Sequence, residues 1–314
     1  MDTINRRSFL GYSAGIAAGI STGVLSSAAK GHSKASHSAT TAHAQTRIRK
    51  GLKFGMISSG STVLEKFTIA KEAGFEGVEM DAPSSWDLDE VLKAKEESGI
   101  EIPGVVLSSH WSSPFNHPDQ KIRTTASNAL ERAIKDCKAL GGTSVLVVPA
   151  VVNASMDYQH AYDQSKIEIS RHVPLAESLG ISIAFENVWN NFLLSPIEAA
   201  RYVDEFESDH VGWYFDIGNI VNYGYPDQWI RTLGHRILKL DVKDFSRSKR
   251  NDEGLWKGFS VGIGEGDSDW DAVCEALREI MFSGWATAEV GGGDEARLKQ
   301  IATRMDRVFE PLNT

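Results

Sequence analysis

From Leu52 onward the chain repeats one unit, a short apolar run followed by an amphipathic stretch, and few folds accommodate that repeat. The runs that read as strands are Leu52–Ile57, Gly77–Asp81, Ile102–Ser108, Ser144–Ala150, Ile181–Val188, Val211–Asn219, Ile237–Asp244 and Gly284–Gly291. Between them apolar residues recur three and four apart, the spacing of a helix with one buried face. The clearest case is Ile122, Ala126, Ala129, Ala133, Cys137 and Leu140, closed by Gly141-Gly142 as a stop. Trp270, Val273, Leu277 and Ile280 form another, with Asp269 and Asp271 at its start; Leu298, Ile301 and Met305 form the last. Eight strand–helix units in roughly 260 residues predict an α/β chain closed into a (β/α)8 TIM barrel. The rival, an open doubly wound sheet, favours a glycine-rich phosphate loop after its first strand. Ile57-Ser58-Ser59-Gly60-Ser61 is only a polar turn.

The first 45 residues obey a different logic. Asn5-Arg6-Arg7-Ser8-Phe9-Leu10 sets a twin arginine before a weakly apolar run from Gly11 to Ala29. That run is too polar for a membrane span and reads as the core of a signal peptide similar to twin-arginine (Tat) export signals. The expectation is therefore a signal and linker over 1–45, recognised by the Tat export machinery, then a single barrel domain over 46–314. The mature protein is expected in the periplasm without a stable membrane span. A net charge of −9 argues against nucleic acid or anionic lipid as a partner. Two cysteines, Cys137 and Cys274, cannot form a disulfide framework, and both fall on apolar helical faces as buried thiols.

A barrel of this kind carries its chemistry at the C-terminal ends of its strands, where alternate residues point inward. In Ile181-Ser182-Ile183-Ala184-Phe185-Glu186 the bulky residues share one parity, so Glu186 points inward. The same reading turns Asp216, Asp241 and Glu289 inward, with Lys239 and Lys243 beside Asp241, while Leu238, Leu240 and Val242 face helices. Four carboxylates converging from four adjacent strands raise one another's pKa unless a cation compensates. An all-oxygen set suits one hard or borderline divalent ion. Other strand ends add His110 as a ligand or proton carrier, Glu79 with Asp81, Trp111 and Trp189 as aromatic walls for a sugar face, and Asn187 and Asn219 as partners for substrate hydroxyls or carboxylates.

These residues resemble the sugar phosphate isomerase/epimerase superfamily, the xylose isomerase-like TIM barrels, over nearly all of residues 50–312. The pieces that carry the resemblance are Ala184-Phe185-Glu186-Asn187, Tyr214-Phe215-Asp216-Ile217-Gly218-Asn219, Lys239-Leu240-Asp241-Val242-Lys243-Asp244-Phe245, Gly264-Glu265-Gly266 and Gly284-Trp285-Ala286-Thr287-Ala288-Glu289. The resemblance implies a divalent metal, Mn²⁺ or Mg²⁺ favoured and Co²⁺ or Zn²⁺ allowed, on Glu186, Asp216, Asp241 and Glu289. Asp241 stands where the family usually has His, and Asn219 where a second His is frequent. The implied activity is sugar isomerisation or epimerisation by proton abstraction next to a carbonyl, through an enediolate. Glu186 and Glu289 are the implied acid and base, Lys243 the neutraliser of oxyanion charge and His110 the hydroxyl proton shuttle. Glu79, Trp111, Asn187 and Asn219 are substrate-binding candidates. Without a phosphate cradle, the expected substrate is a free sugar, a sugar acid or an oxidised glycoside. A keto-sugar lyase and a non-catalytic exported sugar-binding barrel are the alternatives, and a homo-oligomer is compatible with all three.

Overall fold

Eight strands each pair in parallel with the next, and the last returns to pair with the first. The computed structural model of the protein describes residues 47–313, so the twin-arginine segment lies outside the described residues. Strand β1 (Ile48–Lys53) leads to helix α1 (Val63–Glu72), β2 (Gly77–Ala82) to α2 (Leu88–Ser98), and β3 (Gly104–Leu107) to α3 (Gln120–Leu140). Strand β4 (Ser144–Val147) leads to α4 (Tyr158–Ser170) and α5 (Val173–Leu179), and β5 (Ser182–Glu186) to α6 (Pro196–Asp204). Strand β6 (Val211–Asp216) runs straight into the short α7 (Ile217–Val221), which precedes α8 (Pro226–Leu233). After β7 (Ile237–Val242) come α9 (Arg247–Glu253), a 3-10 segment (Leu255–Phe259) and α10 (Trp270–Glu279). Strand β8 (Gly284–Ala288) leads to α11 (Glu295–Val308). Among the described residues no helix is long and apolar enough to cross a membrane.

The (β/α)8 barrel expected from the repeat is the fold observed. Its main core lies between strands and helices, where Phe67, Ile134, Ile183, Phe185, Trp213, Phe215, Leu277 and Met305 are completely buried. Each such side chain stabilises the fold by about 1.5–3 kcal/mol. Helix α3 buries Ala126, Ala129, Ala133, Cys137 and Leu140 and ends on Gly141 at φ 78°, as its periodicity and stop signal predict. Cys137 and Cys274 are free and buried.

Two local expectations need correction. The first strand begins at Ile48 and ends at Lys53, four residues before the predicted frame, and Phe54–Met56 form a 3-10 turn. Its charged start obscured it. Arg49 stacks on Trp285, 3.9 Å from the ring centroid, and bonds Glu101, while Lys50 pairs with Asp306 at 2.6 Å. Leu238, expected to face a helix, packs instead against Leu146, Ala184 and Tyr214 inside the barrel. The register between β6 and β7 shifts there, with Trp213 opposite Ile237 and Tyr214 opposite Lys239. Such a bulge breaks the alternation of faces.

The bulge needs Gly212. A Cβ at that position would stand 2.6 Å from Leu238 Cδ1 and 2.8 Å from the Arg236 carbonyl oxygen. Gly212→Ala is expected to lower the unfolding free energy in urea by about 1–3 kcal/mol. Leu238→Ala in the same chain should restore part of that loss, a coupling that a double-mutant cycle resolves. Strict additivity of the two substitutions would show that the bulge and the glycine are independent.

Candidate active site

Strand ends position the site. Asp216 is the last residue of β6 and the N-cap of α7, its Oδ1 accepting from the Asn219 backbone N–H at 2.7 Å. Asn187, just past β5, locks that corner. Its Oδ1 accepts from the Asp216 N–H at 3.0 Å and from Trp213 Nε1 at 2.9 Å, and its Nδ2 donates to the Asp216 carbonyl at 2.7 Å. Asn219 Nδ2 donates to the Asn187 carbonyl at 2.9 Å, and Trp189 Nε1 donates to the Asn219 carbonyl at 2.9 Å. Asn187 thus spends its whole amide group, and Asn219 its Nδ2, holding the β5 and β6 ends together. Asn219 also lines the cavity above, whereas Asn187 does not.

Asp241 lies directly beside Asp216 in the β6–β7 register. Glu186 ends β5, and Glu289 follows β8, its N–H donating to the Val242 carbonyl at 3.1 Å. One carboxylate oxygen from each of Glu186, Asp216, Asp241 and Glu289 lies within 4.8 Å of the other three. Two oxygens on opposite sides of a Mn²⁺ or Mg²⁺ ion stand about 4.2 Å apart, so small side-chain rotations close the set around one ion. The first three residues are buried and Glu289 is partly exposed to the cavity.

Two lysines answer this charge. Lys243 Nζ stands 2.8 Å from Asp216 Oδ2 and also pairs with Glu289 Oε2. Gly218 makes room for it, since a Cβ there would lie 2.6 Å from Lys243 Cγ. Lys53, from the end of β1, stands 3.0 Å from Asp241 Oδ1 and 2.8 Å from Glu79 Oε2. Inward parity on β1 would have revealed Lys53, had the strand been framed correctly. Glu79 lies away from the cavity lining. It sits in a buried layer with Lys53, with Lys239 at 3.7 Å, and with the Tyr214 hydroxyl, which donates at 2.9 Å and lies 2.8 Å from Thr287 Oγ1.

The residues present fit a divalent cation. Asp216 Oδ2 and both Asp241 oxygens are buried and accept no hydrogen bond of good geometry, their lysine ion pairs notwithstanding. Five carboxylates (Glu79, Glu186, Asp216, Asp241 and Glu289) face three ammonium groups (Lys53, Lys239 and Lys243), leaving two negative charges in excess when all are ionised. The strain shows in the titration. Burial, then the neighbouring carboxylates Glu289, Asp241 and Asp216, pushes Glu186 well above the usual carboxylate range. Burial raises Asp241 against the pull of Lys53, and lifts Asp216 to about 6 against the pull of Lys243. At Glu289 burial is outweighed by Lys243 and Lys53, which hold it below its ordinary value.

Above the cluster opens a cavity of about 970 Å³ with Glu186, Glu289 and Lys243 on its floor. His110, Trp111, Val188, Trp189, Trp256 and Phe259 form its walls, and Glu265, Arg297 and Arg304 also line it. Asp81 lies outside this lining. Trp256, Phe259 and Glu265 belong to the long excursion after β7, which has no periodicity to announce it. Asp244 anchors that excursion, accepting from the N–H groups of Gly264 at 2.9 Å and Gly266 at 3.1 Å, from Ser268 Oγ at 2.6 Å and from Trp270 Nε1 at 3.0 Å. His110 is buried, and its Nδ1 accepts from the Val148 N–H at 3.3 Å, which leaves Nε2–H as the ring's donor. Burial pushes its pKa down to about 4, so the ring is neutral at pH 7.

Two measurements follow. His110 binds a proton more weakly folded than unfolded, so its contribution is complete above about pH 6.5 and is lost as pH falls toward 4, roughly 3 kcal/mol in all. Urea titrations from pH 7 to 4 should show His110→Gln flattening that part of the parent's decline, and parallel curves would refute the assignment. Separately, the chelator-stripped protein should take up one equivalent of Mn²⁺ by calorimetry. At a hundredfold excess of free ion over Kd the gain is about 2.7 kcal/mol, or several degrees in Tm. Asp241→Ala should abolish both; no binding of Mn²⁺, Mg²⁺, Co²⁺ or Zn²⁺ to the parent would remove the metal site.

Comparison with known proteins places the fold in a family. Residues 67–308 match the family model described as xylose isomerase-like TIM barrel. L-ribulose-5-phosphate 3-epimerase UlaE of Salmonella heidelberg (strain SL476) is 24% identical over 255 residues, covering 76% of this chain and 85% of its own. An L-ribulose 3-epimerase structure superposes with a TM-score of 0.71 at 15% identity, over 85% of this chain and 96% of that one. The zinc-bound structure of IOLI protein superposes at 0.70 with 20% identity, over 83% of this chain and 98% of that one. With the family model spanning most of its length, the chain belongs to the xylose isomerase-like TIM barrel family.

Proposed function

We propose that the protein is a metal-dependent sugar epimerase or isomerase that removes the proton from a carbon next to a carbonyl and returns it. The observation that carries this reading is the pair Glu186 and Glu289. They stand on the floor of the cavity, within one four-carboxylate cluster, on β5 and just past β8, three strands apart in the ring. Either carboxylate can take the proton; isomerisation lets the same one return it, whereas epimerisation uses the second to return it on the other face. The two exchange roles between the forward and reverse directions.

Glu186, Asp216, Asp241 and Glu289 would hold the ion, and the all-oxygen donor set favours Mn²⁺ or Mg²⁺ over Zn²⁺. When bound, a divalent ion polarises a carbonyl and a neighbouring hydroxyl oxygen as a Lewis acid. Lys243 presents its ammonium beside Glu289, where it steadies negative charge on a substrate oxygen. His110, neutral and with Nε2–H as donor, orients a hydroxyl.

An unphosphorylated substrate fits best. The cavity's cations are engaged, Arg304 with Glu265 and the Ile263 carbonyl, Arg297 with Gln300 and the Gly291 carbonyl, and Lys243 with Asp216 and Glu289. A phosphate would have to break these pairs and approach Glu265. Export to the periplasm is part of this proposal and rests on Arg6-Arg7 and the apolar run after them.

The test is exchange of a substrate C–H with solvent deuterium. The Mn²⁺-loaded protein, offered a panel of keto-sugars, should exchange one C–H of at least one of them. Glu186→Gln and Glu289→Gln should each slow that exchange by about 10²–10⁴-fold, with metal content and Tm measured on the same preparations. A parent that leaves every C–H unexchanged would convert the reading to a sugar-binding barrel.

A further inference from the structure

Two tryptophans in the cavity are far more exposed than side chains of that size usually are. Trp111 retains 54% and Trp256 69% of its accessible surface, and both line the cavity above the carboxylates. Trp111 follows β3 and Trp256 sits in the excursion after β7, and these strands are diametrically opposed in the closed ring. Neither ring stands alone. Trp111 sets its edge against His110, centroids 5.7 Å apart at 85°, while Trp256 leans on Trp189 at 4.9 Å and Phe259 at 6.5 Å. Trp189 is fixed in turn by Phe259 at 5.0 Å, Phe245 at 5.7 Å and the Nε1–H bond to Asn219. Braced, exposed aromatic faces on opposite sides of one opening are surfaces held ready for a flat apolar ligand face.

The cavity is also large for one sugar ring. Its volume of about 970 Å³ lies at the upper end of the roughly 300–1,000 Å³ typical of pockets for drug-sized ligands, and a single pyranose is well below that size. A ring with its reacting carbon at Glu186 and Glu289 occupies the floor and leaves the aromatic mouth empty. Charge selects what fills it. The braced walls are neutral, and the nearby arginines are already paired, so a second uncharged ring with an apolar face and hydroxyl edges is the complement. Ser260 and Glu265 line the same cavity and supply polar partners for such edges.

We infer that Trp111 and Trp256 form a second subsite that stacks on a second sugar ring, so that the substrate is a keto-sugar carried in a two-ring glycoside. This inference rests on the proposed function for the ring at the floor. The subsite itself is a matter of binding and can be tested apart from turnover.

The probes are D-fructose, with one ring, and lactulose and isomaltulose, which attach a second ring to the same ketose at different oxygens. Calorimetric titration of the Mn²⁺-loaded protein should show at least one two-ring sugar binding about tenfold or more tightly than D-fructose. Trp256→Ala and Trp111→Ala should each reduce that preference by about tenfold, the size of one stacking contact with its buried area. Trp256→Phe, which keeps a smaller ring, should retain part of it. If D-fructose binds as tightly as both two-ring sugars, or the alanine variants weaken all three sugars equally, the subsite does not exist. A protein that prefers two-ring sugars yet exchanges no C–H would keep the subsite and lose the proposed activity. One that exchanges the C–H of D-fructose without preferring a second ring would do the reverse.

Discussion

The structure depends on an electrostatic imbalance placed where a protein can least tolerate it. Four carboxylates crowd together at the top of the barrel, and two like charges about 4 Å apart repel by roughly 4 kcal/mol even at an effective dielectric constant near 20. Lys243 on one side and Lys53 on the other relieve part of that repulsion, each bridging two acids. The lysines cannot finish the task, because Asp241 and Asp216 still present oxygens without a hydrogen bond. A divalent cation small enough to touch all four would complete the set.

The layer below shows why the imbalance does not collapse the barrel. Barrels of this class usually fill their interior with branched apolar residues, but here that role falls to a small group, Leu146, Ala184 and Tyr214 with Val106 and Leu238 packed against them. Beneath the acids, Glu79, Lys53, Lys239, Tyr214 and Thr287 form a connected polar layer. Removing one partner of a buried ion pair typically costs 3–5 kcal/mol, because the other charge is left without compensation. Lys53 belongs to both layers, so the charge that braces Glu79 also braces Asp241. Stability of the interior and geometry of the acids are therefore linked through one ammonium group.

Period-two alternation made most of this legible from the residues alone. Glu186, Asp216, Asp241 and Glu289 share inward parity with small or polar neighbours, and parallel pairing brings neighbouring strand ends together. Lys53 was not legible because β1 carries Arg49 and Lys50 near its start, whose charges are satisfied by Trp285, Glu101 and Asp306 from elsewhere in the chain. Leu238 was misread because a bulge changes parity without leaving a local mark, apart from Gly212 on the neighbouring strand. Residue type could not say whether Asn187 and Asn219 serve a ligand or the backbone, and the structure commits the Asn187 amide and the Asn219 Nδ2 to the β5–β6 corner while Asn219 also lines the cavity. The excursion after β7 was the least legible, since its path follows from Asp244 and not from a hydrophobic period.

That excursion and the acid cluster are organised on opposite principles. Asp244 is buried and fully engaged with backbone N–H groups, a serine hydroxyl and an indole N–H, none of which depends on an ion. The aromatic wall attached to it is consequently assembled before any ligand arrives, and little ordering entropy is lost when a ligand docks. The carboxylates below are close, and oxygens of Asp216 and Asp241 accept no hydrogen bond, so the cluster is suited to a cation. A preformed aromatic wall thus stands above carboxylates that the lysines leave incompletely satisfied. The residues after β7 therefore shape the cavity above the acids through Trp256, Phe259 and Glu265.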